Sequence, residues 1–225
     1  MLAFYEIGVL VLDQQVVRNA ADVWLRQLLD MLGFTRYFFL PVLTCGLLLA
    51  WHHVAKYPWR MHWGVLYGML LESLVFGFLL VLIAGWQRSL FSAAFWPCAQ
   101  EASGGGHFLR LLVGYVGAGI YEELLFRLLL LSSAVGLLRL SGLSLRASWI
   151  AGVIATSLLF SAAHYQVDIA VAGWHFQTSY GESFAWSSFL FRFLAGVFFS
   201  VLFLFRGFGI AAGSHAVYDW FTLIF

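Results

Sequence analysis

The sequence predicts an all-α, polytopic membrane protein: a bundle of about six transmembrane helices with an N-terminal amphipathic helix. Of its 225 residues, 62% are hydrophobic and only 10% are charged, whereas a soluble domain carries about 25% charged residues. Apolar runs of the ~20 residues that a helix needs to cross a bilayer also recur along the chain. No repeat or linker divides these runs, so we expect a single membrane domain over residues 1–225.

The elements follow from the order of these runs. Segment 16–32 places apolar residues at helical spacing with charges between them, which predicts an amphipathic helix at the membrane interface. Segment 165–185 is mixed in polarity and favours a loop or a re-entrant piece. The predicted spanning helices lie at 37–54, 63–86, 107–138, 147–164, 186–205 and 208–225.

Ionisable residues inside apolar runs are rare and usually face the interior of a bundle. The run GAGIYEELLFRLLLL contains three of them, Glu122, Glu123 and Arg127. Glu123 and Arg127 are four positions apart on one helical face, so we expect them to form an ion pair. Glu122 points about 100° away. An unpaired carboxylate in a dry bundle must take up a proton or find a donor, which indicates a separate role for Glu122.

Two more pairs have the same four-residue spacing. In LLFSAAHY, Phe160 lies one turn below His164, and in GSHAVYDW, Asp219 follows His215 by one turn. An Asp at this distance can accept the imidazole N–H and fix its tautomer. Taken alone, such residues are often structural. The helical rise places Glu122 and His215 at similar depth and His164 about 12 Å deeper, which permits one common site.

The remaining polar residues give weaker signals. Glu72 lies inside the second apolar run and is expected to pair with Arg192 or with a hydroxyl group. The net charge of +1 provides no basic surface, so we expect no nucleic-acid partner. Residues 1–106 show no pattern that assigns them a role.

The motifs EExxxR, FxxxH and HxxxD, in this order and each on its own predicted helix, resemble the CPBP family. That family contains the type II CAAX prenyl proteases and bacterial relatives linked to bacteriocin processing or self-immunity. The resemblance covers about residues 107–225. It implies a glutamate-dependent intramembrane endopeptidase that needs no metal cofactor and acts on a membrane-associated peptide or protein. We expect an integral, multi-pass protein in the lipid bilayer, in the plasma membrane of a prokaryote.

The resemblance also implies roles for individual residues. Glu122 would be the general base, with His164 as its partner on the attacking water. His215 and Asp219 would stabilise the oxyanion. The residues that would support the site structurally are Glu123, Arg127 and Phe160. The family often has Asn at the position of Asp219, and an ionised Asp would repel an oxyanion. Either Asp219 is protonated, or it orients a cationic His215.

Three alternatives stay open at this point. Two His and two carboxylates could bind Zn²⁺ in a membrane metalloprotease, although the sequence has no HExxH motif. A proton-coupled transporter or a membrane scaffold could use Glu122 and the His residues as a proton relay, although no inverted repeat supports it. The chain could also be a family member that has lost catalysis.

Overall fold

The computed structural model describes residues 1–12, 18–60, 62–90, 105–166, 168–171, 174–177 and 181–223. Most of these residues are helical, as predicted. The helices are α1 (Leu2–Leu12), α2 (Ala20–Met31), α3 (Phe39–Val54), α4 (Trp63–Leu90), α5 (Gly105–Glu123), a π-helical segment (Leu124–Leu131), α6 (Ser132–Leu140), α7 (Leu145–Ala162), α8 (Trp186–Arg206) and α9 (Phe208–Thr222).

Among the described residues, three helices are long and apolar enough to cross a membrane: α4, α7 and α8. The shorter helices α1 and α3 are also apolar. The count of six spans therefore stays a prediction. The predicted run 107–138 is not one α-helix, because its central part, Leu124–Leu131, is π-helical. Such wider turns inside α-helices frequently occur at functional sites.

Helix α9 lies at the centre of the bundle and packs against α4, α5 and α8. Its side facing α5 is made of small residues, which lets the two backbones come close. A Cβ atom at Gly119 of α5 would lie 2.5 Å from the carbonyl oxygen of Ala212 on α9. This glycine therefore sets the distance between the helix that carries Glu122 and the helix that carries His215.

The predicted amphipathic helix is present as α2, but its polar side faces the protein. Asn19 caps its first turn, as Asn often does, by accepting a hydrogen bond from the backbone N–H of Asp22 at 2.8 Å. Asp22 is fully buried, whereas Met31 at the other end is 78% exposed. Both α1 and α2 pack on α5, so the N-terminal segment lies beside the helix that carries the doublet of glutamates.

Segment 165–185 contains a short hairpin that the sequence did not predict. Strand β1 (Asp168–Val171) pairs antiparallel with β2 (Trp174–Gln177). After the hairpin, the chain returns to the end of α7: the N–H of Glu182 donates to the carbonyl oxygen of His164, and the N–H of Gln166 donates to that of Glu182, both at 2.9 Å. The segment is thus fastened to the backbone of a predicted site residue.

The expected pairing of Glu72 with Arg192 is wrong. Glu72 forms an ion pair with Arg206, at the end of α8. Arg192 instead pairs with Glu182, with 2.8 Å between Nη2 and Oε1. The sequence allowed both arrangements, because these residues are far apart along the chain and no helical spacing relates them.

Candidate active site

Glu122, one residue before the end of α5, occupies the centre of the candidate site. Its Oε2 atom is enclosed and has no hydrogen-bond partner among the described residues. Nε2 of His164 and Nε2 of His215 each lie 3.8 Å from this oxygen. Hydrogen bonds span about 2.7–3.2 Å, so the three groups converge without bonding directly. The structure thereby brings together three residues from three different sequence motifs.

His164 lies in the turn that follows α7. Its Nδ1 is 2.7 Å from the carbonyl oxygen of Phe160. A carbonyl oxygen can only accept, so Nδ1 carries the hydrogen, and in the neutral form of the ring Nε2, which faces Glu122, is the acceptor. The depth estimate that placed His164 about 12 Å below the other residues is wrong. It took the ends of the apolar runs as common membrane faces, whereas Nε2 of His164 and Oε2 of Glu122 lie only 3.8 Å apart.

His215, on α9, is 5% exposed. Its Nδ1 lies 2.8 Å from Oε1 of Glu123, and its Nε2 lies 3.7 Å from Oδ2 of Asp219. The group that orients the imidazole is therefore Glu123, and not Asp219 as the spacing indicated. Phe199 of α8 stacks on the ring, with 4.6 Å between centroids and 11° between the planes.

The predicted pair of Glu123 and Arg127 is confirmed. Nε of Arg127 lies 3.1 Å from Oε2 of Glu123, and the side chains are 1% and 0% exposed. Glu123 therefore contacts Arg127 through one oxygen and His215 through the other. Arg127 also donates from Nη2 to the carbonyl oxygen of Gly196 on α8 at 3.2 Å, so this ion pair connects α5 and the π-helical segment to α8 and α9.

Phe160, the first residue of the FxxxH motif, packs between the charged groups. The guanidinium of Arg127 lies 4.4 Å from its ring centroid, a distance at which the ring face attracts a cation. The same ring contacts the imidazoles of His164 and His215 edge-on, with centroids 4.9 Å and 6.0 Å away. Phe160 thus keeps the two His rings apart and covers the buried cation.

A cavity of about 340 Å³ reaches Glu122 and His164 from outside the bundle. Its walls come from α2, the end of α7, the segment after the hairpin, and α8. The lining residues are Ala20, Ala21, Trp24, Glu122, Phe126, Ala163, His164, Gly181, Glu182 and Arg192. Glu122 and His164 are therefore accessible to a ligand, while Glu123 and Arg127 are sealed behind them.

The sequence analysis missed the contribution of Asn19. Its Nδ2 lies 3.5 Å from Oε1 of Glu122, across 103 positions of the sequence. An Asn directly before a run of helix-forming residues, as at 19–22, is a common helix start, so the sequence predicts that Asn19 caps α2. No local signal could have indicated that the same side chain reaches Glu122.

The part of the chain that the structure describes contains no group of three or more His, Cys, Asp or Glu side chains arranged to hold a metal ion. Glu123, one of the two carboxylates that the zinc alternative requires, is engaged by Arg127 and His215.

The long apolar helices indicate a multi-pass membrane protein. The carboxylate of Glu122 and the two imidazoles that converge on it define a candidate hydrolytic site. Residues 104–221 match the family described as type II CAAX prenyl endopeptidase, Rce1-like. Because this match covers just over half of the chain, the protein belongs to that family, which is a family of proteases. The resemblance predicted from the three motifs is thus confirmed. Comparison with curated proteins and with solved structures gave no match.

Proposed function

We propose that the protein is an intramembrane endopeptidase in which Glu122 and His164 activate a water molecule that attacks a peptide bond. The observation that carries this proposal is the Oε2 atom of Glu122, enclosed and without a hydrogen-bond partner, 3.8 Å from Nε2 of both His164 and His215. We infer that one water molecule bridges these groups, because 3.8 Å is too long for a direct hydrogen bond.

The tautomer of His164 supports this role. With the hydrogen on Nδ1 held by Phe160, Nε2 accepts a hydrogen bond, and so does the carboxylate of Glu122. Water has two hydrogens and can donate one to each. Glu122 then removes a proton as the water oxygen attacks the carbonyl carbon, and later returns this proton to the nitrogen of the leaving amine. This route needs no Ser or Cys nucleophile.

His215 would stabilise the oxyanion of the tetrahedral intermediate. Its Nδ1 contacts Glu123, and the carboxylates of Glu122 and Asp219 lie within 4 Å of its Nε2. Surrounding carboxylates favour the imidazolium form, which donates from Nε2 to the developing negative charge. Of the two alternatives for Asp219, this arrangement supports the one with a cationic His215, except that Glu123 orients the ring and Asp219 contributes only its nearby carboxylate, 3.7 Å from Nε2.

The substrate would be a membrane-anchored peptide or protein, because the site lies among long apolar helices and the family is one of CAAX prenyl endopeptidases. The family implies a CAAX-type substrate. A prenylated terminus, a bacteriocin leader or a C-terminal sorting tail would each satisfy the chemistry. A location in the plasma membrane of a prokaryote is part of the same proposal.

The test compares membrane peptides by mass spectrometry from cells that carry the wild-type protein or Glu122→Gln. Glutamine keeps the shape of the side chain but cannot accept the proton, so we expect cleavage to fall by about 10²–10⁴-fold. Cleavage by the His164→Gln variant should fall by a factor in the same range. The matched control is His53→Gln, an exposed imidazole on α3, which should cleave normally.

Normal cleavage by Glu122→Gln would show that the assigned base is wrong. Treatment with a chelator is the second arm, because loss of cleavage that added Zn²⁺ restores would favour the metalloprotease. A transporter or a scaffold would give identical peptides with wild-type protein and with both variants.

A further inference from the structure

We propose that Asn19 is a positioning residue for Glu122, and that the start of α2 is therefore part of the active site. Asn19 lies far outside residues 104–221, which match the family. The inference rests on the proposed role of Glu122 as the base and extends it to a segment of the chain to which no motif assigned a function.

The helix cap fixes the direction of the Asn19 amide. Its Oδ1 accepts a hydrogen bond from the backbone N–H of Asp22 at 2.8 Å. Because the oxygen of an amide accepts and its NH₂ group donates, this bond determines which end faces the cap. The NH₂ end is then directed to Glu122, with 3.5 Å between Nδ2 and Oε1. Asn19 is also the single asparagine in the sequence.

A donor at Oε1 distinguishes the two oxygens of Glu122. The terminal torsion of a glutamate side chain is broad, so an unconstrained carboxylate would rotate. With Oε1 directed to Asn19, Oε2 is left to face His164 and His215. The distance of 3.5 Å is long for a hydrogen bond, and such catalytic contacts often shorten only when substrate is bound.

A buried polar cluster keeps α2 in the required place. Asp22, in the first turn of this helix, is 0% exposed. It accepts three hydrogen bonds of 2.6–2.7 Å, from Tyr5, Arg18 and Arg26. Tyr121, the neighbour of Glu122 on α5, donates to Glu6 of α1 at 2.6 Å. The N-terminal helices are therefore bonded to α5 within one residue of the proposed base.

The same turn of α2 also forms a wall of the substrate cavity. Ala20, Ala21 and Trp24 line the space of about 340 Å³ that reaches Glu122 and His164. A substrate that enters this cavity passes along α2 before it meets the base. Contact with substrate and orientation of Glu122 are thus combined in one short segment.

Three substitutions at Asn19 separate the cap from the donor. Ser caps helices well but has no NH₂ group to reach Glu122, so Asn19→Ser should keep thermal stability and lower kcat about tenfold, with KM little changed. Asn19→Ala should lower kcat equally and also lower Tm, because it removes the cap as well. The substrate is a peptide found by the mass-spectrometric comparison above.

Asn19→Asp provides a readout that a purely structural role would not change. Asp keeps the cap but places a second carboxylate beside Glu122, and a like charge disfavours the ionised base. The acidic limb of the pH profile of kcat should therefore move to higher pH. In Asn19→Ser, the same limb should move less, because no charge is added.

Ser144 offers the matched control. Ser144 caps α7 through the N–H of Ala147 at 3.3 Å and is exposed. Ser144→Ala should lower Tm without changing kcat or the pH profile. If Asn19→Ser has the kcat of the wild type and Asn19→Asp leaves the pH profile unchanged, the positioning role is wrong. That result together with inactive Glu122→Gln overturns this inference alone, whereas active Glu122→Gln overturns the proposed function.

Discussion

Two polar clusters lie beside α5, and they differ in how their groups are bonded. Around Asp22, three donors lie at 2.6–2.7 Å. Around Glu122, the imidazole nitrogens of His164 and His215 lie at 3.8 Å, and Oε2 has no hydrogen-bond partner among the described residues. The clusters also differ in burial, because Asp22 is 0% exposed, whereas the side chains of Glu122 and His164 are 14% and 28% exposed.

The difference separates structural from functional polar groups. Buried polar atoms are nearly always hydrogen-bonded, because an unpaired one loses its solvation without compensation. The carboxylate of Asp22 follows this rule, because both of its oxygens accept hydrogen bonds, and these bonds fasten α1 and α2 to each other. Oε2 of Glu122 departs from it, and Glu122 also lines the cavity that a reacting molecule would enter. Three substitutions, each with a comparison variant, test this distinction below.

Arg127→Ala should lower thermal stability and cleavage the most, because Arg127 holds Glu123 and the backbone of Gly196 beside the cluster at Glu122. Its removal leaves Glu123 without its cation in a fully buried position, and breaking a buried pair costs about 3–5 kcal/mol. Since Glu123 also orients His215, cleavage should be lost together with thermal stability. Thermal unfolding in detergent and the peptide assay measure both.

Arg139→Ala is the control for this substitution. Arg139 is exposed in the last turn of α6 and donates to the carbonyl oxygen of Leu143, so its loss should leave stability and cleavage close to wild type. If Arg127→Ala unfolds at the temperature of the wild type, Arg127 does not hold the site together.

Asp22→Ala should affect stability more than catalysis. It leaves Arg18 and Arg26 without the carboxylate that both contact, at a cost of about 3–5 kcal/mol for breaking buried charge pairs. Protein that stays folded should still cleave, with a rate no lower than that of Asn19→Ala. Thermal unfolding measures the loss of stability, and the cleavage rate per folded molecule measures the effect on catalysis.

Asp30→Ala is the matched control, since Asp30 is an exposed acid on the same helix. Its effects on thermal stability and on the cleavage rate should be small. Complete loss of cleavage by folded Asp22→Ala would mean that the cluster at Asp22 takes part in the chemistry. The division between the two clusters would then be wrong.

Glu182→Gln should have the smallest effect. The pair of Glu182 and Arg192 is half-exposed on the Glu182 side, and such pairs contribute about 0–1 kcal/mol. His164 is held by the backbone N–H of Glu182, which the substitution keeps. We expect thermal stability and cleavage near those of the wild type.

Gly181→Ala provides the contrast at the neighbouring position. Gly181 has φ +113°, and a Cβ atom there would lie 2.7 Å from the carbonyl carbon of Tyr165. This change displaces the backbone that bonds to His164, so cleavage should fall much further than in Glu182→Gln. The opposite order of the two variants would show that the side chain of Glu182, and not its backbone, positions His164.

Much of this architecture could be predicted from the sequence, because helical periodicity relates residues that are close along the chain. The apolar composition indicated a membrane protein. The four-residue spacing predicted that Glu123 contacts Arg127, which the structure confirms. The same helical geometry predicted that Glu122 lies on a different face. The three motifs in order indicated the protease family to which the chain belongs.

Tertiary structure alone decided which groups meet across helices. His215 is oriented by Glu123, 92 positions away, and not by Asp219 on its own helix. Asn19 reaches Glu122 across 103 positions. Contacts of this kind depend on how closely α5 and α9 pack, on the π-helical turn after Glu123 and on the course of the turn at His164. A local pattern of 3.6 residues per turn carries no information about these distances, because they are set by the packing of whole helices against one another.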